Sequence, residues 1–124
     1  MERVAESLKS KVMSAQQAAQ FIKSGMVLGI SGFTSVGSPK AVPLALVESG
    51  HAKDLTICVG AAVSDEVDGA MVRAGLVSRR FGHQSNSDLR KAINKGDVEF
   101  SDLHISHLPM NMKQDCGLHT NVAL

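Results

Sequence analysis

The stretch best suited to chemistry is Gly29-Ile-Ser-Gly-Phe-Thr-Ser-Val-Gly-Ser-Pro-Lys40, a glycine-rich turn between an apolar run and a proline-led segment. Met26–Ile30 reads as a short buried strand. Ser38 is expected to cap a helix whose first residue is Pro39, a position where the missing N–H costs nothing. Strand, glycine turn and helix N-terminus together present free backbone N–H groups to an anion or a nucleotide-like ligand. Such a ligand would meet Gly32, Phe33, Thr34, Gly37 and Ser38; the competing reading is that the glycines only make a tight turn ahead of Pro39. Neither generic nucleotide motif fits. Gly32-x-x-x-x-Gly37 opens like a P-loop, but Ser38 and Pro39 stand where Lys and Ser/Thr are required, and Gly29 and Gly32 are wrongly spaced for a dinucleotide fingerprint.

A second constellation lies near the end of the chain. His104-Ile-Ser-His107 and Cys116-Gly-Leu-His119 offer four potential ligands with the short gaps of structural zinc sites. Against that, His104–Leu108 also reads as an extended stretch running into Pro109. His83 sits at the edge of the expected pocket, where it either contacts substrate or pairs with a loop carbonyl. Asp65, Glu66 and Asp68 read as a solvated loop.

Alternating elements must position these residues. Ser14 opens a helix with Gln17 three residues on, a capping-box pattern, and Ala15, Ala18, Ala19 and Ile22 keep helical spacing up to Gly25. A further helix is expected from about Pro39 to Ser49, stopped by Gly50, with Pro43 disturbing its first turn. Leu55–Val59 is nearly all apolar, as a parallel strand covered on both faces would be. Gly60–Gly69 reads as a loop with a short helix possible up to about Ala74. Val77–Phe81 reads as a third strand, and Ser87 as the cap of a helix ending at Gly96. This order predicts an α/β fold, an open and mainly parallel sheet with helical crossovers, in one domain over residues 1–124. Asn121–Leu124 reads as the opening of another apolar strand, so the domain is expected to be incomplete at its C-terminal end and the chain to be a fragment.

Composition narrows the function classes. The 124 residues are 44% hydrophobic with a net charge of +1, four Phe, and no Trp or Tyr. Without a basic cluster beyond Arg79-Arg80 or aromatic platforms, a nucleic-acid surface is not expected. No apolar run approaches the ~20 residues of a membrane span. The first residues mix charge signs and lack a signal-peptide core, which makes the cytoplasm the expected compartment. Cys58, inside an apolar run, reads as a small buried hydrophobe, and two cysteines in such different settings predict no disulfide framework.

The quoted pieces also form a set. Ser31-Gly-Phe-Thr-Ser-Val-Gly-Ser-Pro-Lys-Ala-Val-Pro43, Gly60-Ala-Ala-Val-Ser-Asp-Glu-Val-Asp-Gly69, Arg80-Phe-Gly-His-Gln-Ser-Asn-Ser87 and Leu89–Gly96, preceded by Ser10–Ser14, resemble in order the N-terminal part of the acetyl-CoA hydrolase/transferase family. These are class I coenzyme A transferases, including the succinyl-CoA:acetate type. The resemblance runs to about Ser101 and weakens beyond it. It implies transfer of CoA between a short-chain acyl-CoA and a carboxylate through a glutamyl-CoA thioester, with the glutamate in the family's second half, outside this chain. The implied partners are acyl-CoA and a small carboxylate, in a homo-oligomer or in association with the absent C-terminal half. No cofactor is implied, coenzyme A being a substrate. Small hydroxyl side chains in the loops around Ser64 and Ser85 resemble the family's carboxylate-binding set, although Gly60-Ala-Ala-Val63 places alanine where relatives carry a hydroxyl. The alternative is a non-enzymatic α/β binding module, zinc-stabilised through His104, His107, Cys116 and His119.

Overall fold

Ser14 and Gln17 close a reciprocal capping box: the Gln17 N–H donates to the Ser14 hydroxyl (3.2 Å) and the Ser14 N–H to Gln17 Oε1 (2.9 Å). It starts α1 (Ala15–Ala19), which follows a 3₁₀ turn at Glu6–Lys11. The computed structural model describes residues 5–82, 84–101, 104–107, 109–110 and 120–124. The chain then forms β1 (Val27–Thr34), α2 (Ala41–Ser49), β2 (Leu55–Ala62), a π-helical segment (Asp65–Met71), β3 (Val77–Phe81), α3 (Ser87–Lys95), β4 (Glu99–Ser101) and β5 (Val122–Ala123).

Every strand pairing in the sheet is parallel, in the order β4-β3-β2-β1-β5. This is the expected open α/β sheet. From β1 the chain steps one way through β2, β3 and β4; β5 returns to the other side of β1. That reversal makes the carboxyl end of β1 a topological switch point, where open α/β sheets bind ligands. Asn121 ties the returning strand down, accepting the Val27 N–H on its side-chain oxygen (2.8 Å) while its own N–H donates to the Val27 carbonyl (2.9 Å).

The core gathers Leu28, Ile30, Leu55, Ile57, Val59 and Val77 from the strands with Ile22, Leu46, Met71 and Leu89 from the covering layers. Each such side chain contributes about 1.5–3 kcal/mol on burial. Helix α1 packs on α2, α2 on the π-helical segment, and that segment on α3. β2 is buried at Leu55, Thr56, Ile57, Val59 and Ala62 and half-buried at Cys58, Gly60 and Ala61, as its apolar run requires.

Several local expectations are corrected. β1 does not stop at Ile30; a bulge lets it resume pairing, Phe33 with Ala61 and Thr34 with Ala62. α2 starts at Ala41 with Lys40 as its N-cap, so neither Ser38 nor Pro39 plays the cap and first-residue roles. Pro43 consequently falls in the first turn, where no helical N–H bond is lost. α3 is capped by Asn86, whose side-chain oxygen accepts from the Asp88 and Leu89 N–H groups, and not by Ser87. Gly60–Ala62 belongs to β2 and not to the loop, and the short helix expected up to about Ala74 already begins at Asp65, wound as a π-helix to Met71.

Candidate functional site

Beyond the bulge, β1 turns back on itself. Phe33 and Val36 exchange both backbone hydrogen bonds at 2.9 Å, and Thr34 at the turn has φ +50. A β-branched residue in that region is held there by its surroundings, and such strain collects at binding and catalytic sites. The turn displays Phe33 and Val36 at 69% and 71% exposure. Gly32 and Gly37 make the return possible. A Cβ on Gly32 would lie 2.9 Å from the Ser38 nitrogen, and Gly37 has φ +69.

Ser38 is 7% exposed, and its hydroxyl is the buried side-chain oxygen without a hydrogen-bond partner among the described residues. It precedes the N-terminus of α2, where Lys40 supplies no side-chain cap. The Lys40 ammonium lies 3.9 Å from the Glu66 carboxylate on the π-helical segment. Gly32, Phe33, Thr34, Gly37 and Ser38 are thus brought together at the switch point as one loop leading into one helix N-terminus.

The neighbouring strand ends carry the remaining candidates. The Val63 N–H donates to the Thr34 carbonyl (2.7 Å), which joins the glycine loop to the residue before Ser64. Ser64 is buried, and its oxygen accepts the Val67 N–H (3.3 Å) as cap of the π-helical segment. Ser85 is exposed in the connection from β3 to α3, held by Gln84, whose side-chain amide donates to the Ser101 carbonyl (3.2 Å). Ser64 and Ser85 therefore follow adjacent strands at one sheet edge in opposite states, one engaged and one open to solvent. His83 lies outside the described residues.

The acidic triplet splits. Asp65 is exposed and bound by Arg73, whose guanidinium donates to it at 3.0 and 3.1 Å, and this bond holds its carboxyl below the usual range. Asp68, expected in solvent, is 2% exposed and pairs in a two-pronged arrangement with Arg80, itself 1% exposed, at 2.7 and 3.1 Å. Sequence reasoning missed this pair. The available signal was Arg79-Arg80 within a strand: successive side chains face opposite ways, so one of the two arginines must point to the covered face of the sheet and be matched there by an acid.

Of the zinc candidates, His104 and His107 stand edge to face with ring centroids 6.0 Å apart, and the His104 Nδ1 lies 2.7 Å from the Ser106 hydroxyl. Cys116 and His119 lie outside the described residues. Among the described residues no group of three or more metal-ligating side chains is assembled. Cys58 is half-buried on β2, and burial pushes its thiol pKa up. No helix among the described residues is long and apolar enough to cross a membrane.

Residues 1–123 match the acetyl-CoA hydrolase/transferase N-terminal domain. The chain is 41% identical over 105 residues to the succinyl-CoA:acetate CoA-transferase of Clostridium kluyveri, a match covering 82% of this chain and 20% of that protein. It is 37% identical over 116 residues to the acetyl-CoA hydrolase of Saccharomyces cerevisiae, covering 89% of this chain and 22% of that protein. It therefore spans about a fifth of the length of these curated relatives. Among solved structures, the acyl-CoA transferase of Escherichia coli O157:H7 in its thioester complex with CoA superposes with a TM-score of 0.71 at 17% identity, over 87% of this chain and 23% of that one. The glutaconate coenzyme A-transferase of Acidaminococcus fermentans gives 0.66 at 24% identity, over 88% and 37%. These likenesses are to the fold, and they agree with the parallel sheet described above. Fold and sequence match converge: the chain belongs to the acetyl-CoA hydrolase/transferase family of CoA-transferring and CoA-hydrolysing enzymes, and the part of that family it matches is the N-terminal domain.

Proposed function

We propose that this chain forms the N-terminal wall of an enzyme that moves CoA between a short-chain acyl-CoA, of the acetyl or succinyl type, and a carboxylate. The observation that carries the reading is the loop Gly32–Ser38, strained and glycine-shaped, at the switch point of a sheet matching this family. In the proposed reaction a glutamate oxygen, supplied from outside this chain, attacks the thioester carbonyl. The C–S bond breaks, leaving an acyl-glutamyl anhydride and the CoA thiolate. The thiolate attacks the glutamyl carbonyl and releases the acyl carboxylate. The resulting glutamyl-CoA thioester returns its CoA by the reverse steps to an acceptor carboxylate, or is hydrolysed by water.

Each attack gathers negative charge on a carbonyl oxygen, which needs donors placed in advance. In this reading the loop contributes close backbone approach, Phe33 an apolar face toward the acyl or pantetheine chain, and the Ser38, Ser64 and Ser85 loops the polar edge near the carboxylate. CoA enters as substrate and no resident cofactor takes part. The assembly is a homo-oligomer, or joins this domain to the family's second half, and works in the cytoplasm.

The test exchanges this domain for the matching residues of the Clostridium kluyveri succinyl-CoA:acetate CoA-transferase. A chimera that folds and consumes succinyl-CoA in the presence of acetate supports the reading. A chimera with native oligomeric state and melting behaviour but no turnover refutes it. The 124-residue chain alone is expected to consume no thioester; turnover that scales with its concentration and survives repurification would show that the nucleophile lies within it.

A further inference from the structure

Two observations that the reaction scheme does not use meet at one place. Asp68 belongs to the segment after β2 that carries Ser64 at its start; Arg80 belongs to β3, one residue before its last, and leads into the connection bearing Ser85. Their side chains are almost completely buried and bind through both carboxylate oxygens. Arg80 also donates through Nη1 to the Phe81 carbonyl, which pins the end of β3. The following residue, Gly82, has φ +93, and a Cβ there would fall within the van der Waals radius of the Val59 carbonyl on β2.

The outer rim repeats the connection. Arg73 binds Asp65 at the start of the π-helical segment and Asp88 in the first turn of α3 (2.6 Å). This rim clasp is half-exposed and screened by solvent, so its grip is weak. The inner pair differs. A buried ion pair is commonly no more stabilising than apolar residues of the same volume, and in some proteins its use is to fix one geometry. The π-helical form of the segment is itself rare and is frequent at functional sites.

We propose that Asp68 and Arg80 are positioning residues: their buried pair locks the loop after β2 to the loop after β3 and thereby sets where Ser64 and Ser85 stand at the carboxyl edge. The part of this inference that concerns substrate rests on the function proposed above; the locking itself does not. In this account the pair is retained for register and not for stability, and neither residue touches substrate.

The experiment compares the wild-type 124-residue chain with Asp68→Asn and with the volume-matched double variant Asp68→Leu/Arg80→Met, using residue-resolved amide hydrogen exchange. The double variant is expected to melt no lower than wild type while the amides of Val67 and Asp68 exchange at least about tenfold faster, those of Leu28 and Ile57 in the central strands staying unchanged. Unchanged exchange at Val67 and Asp68 in a stable double variant overturns the proposal. If the double variant does not fold, Asp68→Asn decides by the same local-against-central comparison, and uniform loosening of all four amides overturns it. In the transferase chimera the double variant is expected to raise KM for the carboxylate by about ten- to a hundredfold with KM for acyl-CoA little changed. An inactive chimera with local loosening intact refutes the proposed function and leaves the lock standing; an active chimera whose two KM values rise together refutes the positioning role.

Discussion

Replacing Gly37 by alanine separates a ligand-shaped loop from a merely tight turn. The nearest heavy atom to a new Cβ is the Gly32 Cα at 3.9 Å, which is ordinary contact, so nothing in the folded loop is displaced. The cost is conformational: φ is +69, and an L-residue in the left-handed region loses about 1–2 kcal/mol. Part of this is offset because alanine also restricts the unfolded chain, by about 0.4–1 kcal/mol. A net loss of about 1 kcal/mol lowers Tm by roughly 3–6 °C for a domain of this size. A ligand passing against the Gly37 backbone adds a second effect beyond this conformational cost. Losing one charge-assisted contact, or accommodating the methyl, costs roughly 1.5–3 kcal/mol in the transition state, about ten- to a hundredfold in kcat/KM. The assay is thermal unfolding of the 124-residue chain together with steady-state kinetics of the chimera, each with and without Gly37→Ala. A lowered Tm with unchanged kcat/KM would refute close approach and reduce the loop to a turn.

Two smaller predictions test the scaffold. Ser14→Ala removes one half of the capping box and leaves the Gln17 N–H without its acceptor, so stability should fall by about 1 kcal/mol in chemical denaturation, and an unchanged midpoint would show that α1 is fixed by packing alone. Cys58, whose thiol is pushed up by burial with the Arg80 charge only partly opposing, stays protonated to higher pH in the fold than in the unfolded chain; iodoacetamide at about pH 8, near the free thiol's own pKa, should label it more slowly in native protein than in urea, and equal rates by peptide mass would contradict that burial.

What could be read from the sequence was whatever local chemistry decides. Val77–Phe81 matches β3 end to end because branched residues and turn signals bound it, and Gly50 and Gly96 stop their helices as expected. Sequence alone ends β1 at Ile30 because Ser31 and Gly32 look like a turn; only pairing with Ala61 and Ala62 on another strand turns Phe33 and Thr34 back into sheet. Ser38 looked like a cap because serine before proline is a good local signal. The structure buries it instead, leaving Lys40 to start α2, because the turn back at Phe33–Val36 sets where the chain enters the helix.

The same division runs through the site. Its glycines were visible because strain must be met by a particular residue at that position, whereas the Asp68–Arg80 pair was invisible because either partner alone reads as a surface charge. Only the sheet makes them partners: Arg80 must face inward because Arg79 faces out to Glu99, where it is bound at 2.6 Å. Once Arg80 is inside, desolvation would make an uncompensated guanidinium prohibitive, and the π-helical segment crossing that face has to deliver an acid. The stretch Asp65–Met71 meets two demands at once. Ser64 has to cap it at the sheet edge while Asp68 reaches down to the arginine, with the Val67 N–H bound to Ser64 Oγ between them. A segment under both constraints has little freedom left, and that is the physical reason for expecting the carboxyl edge to be rigid before any ligand arrives.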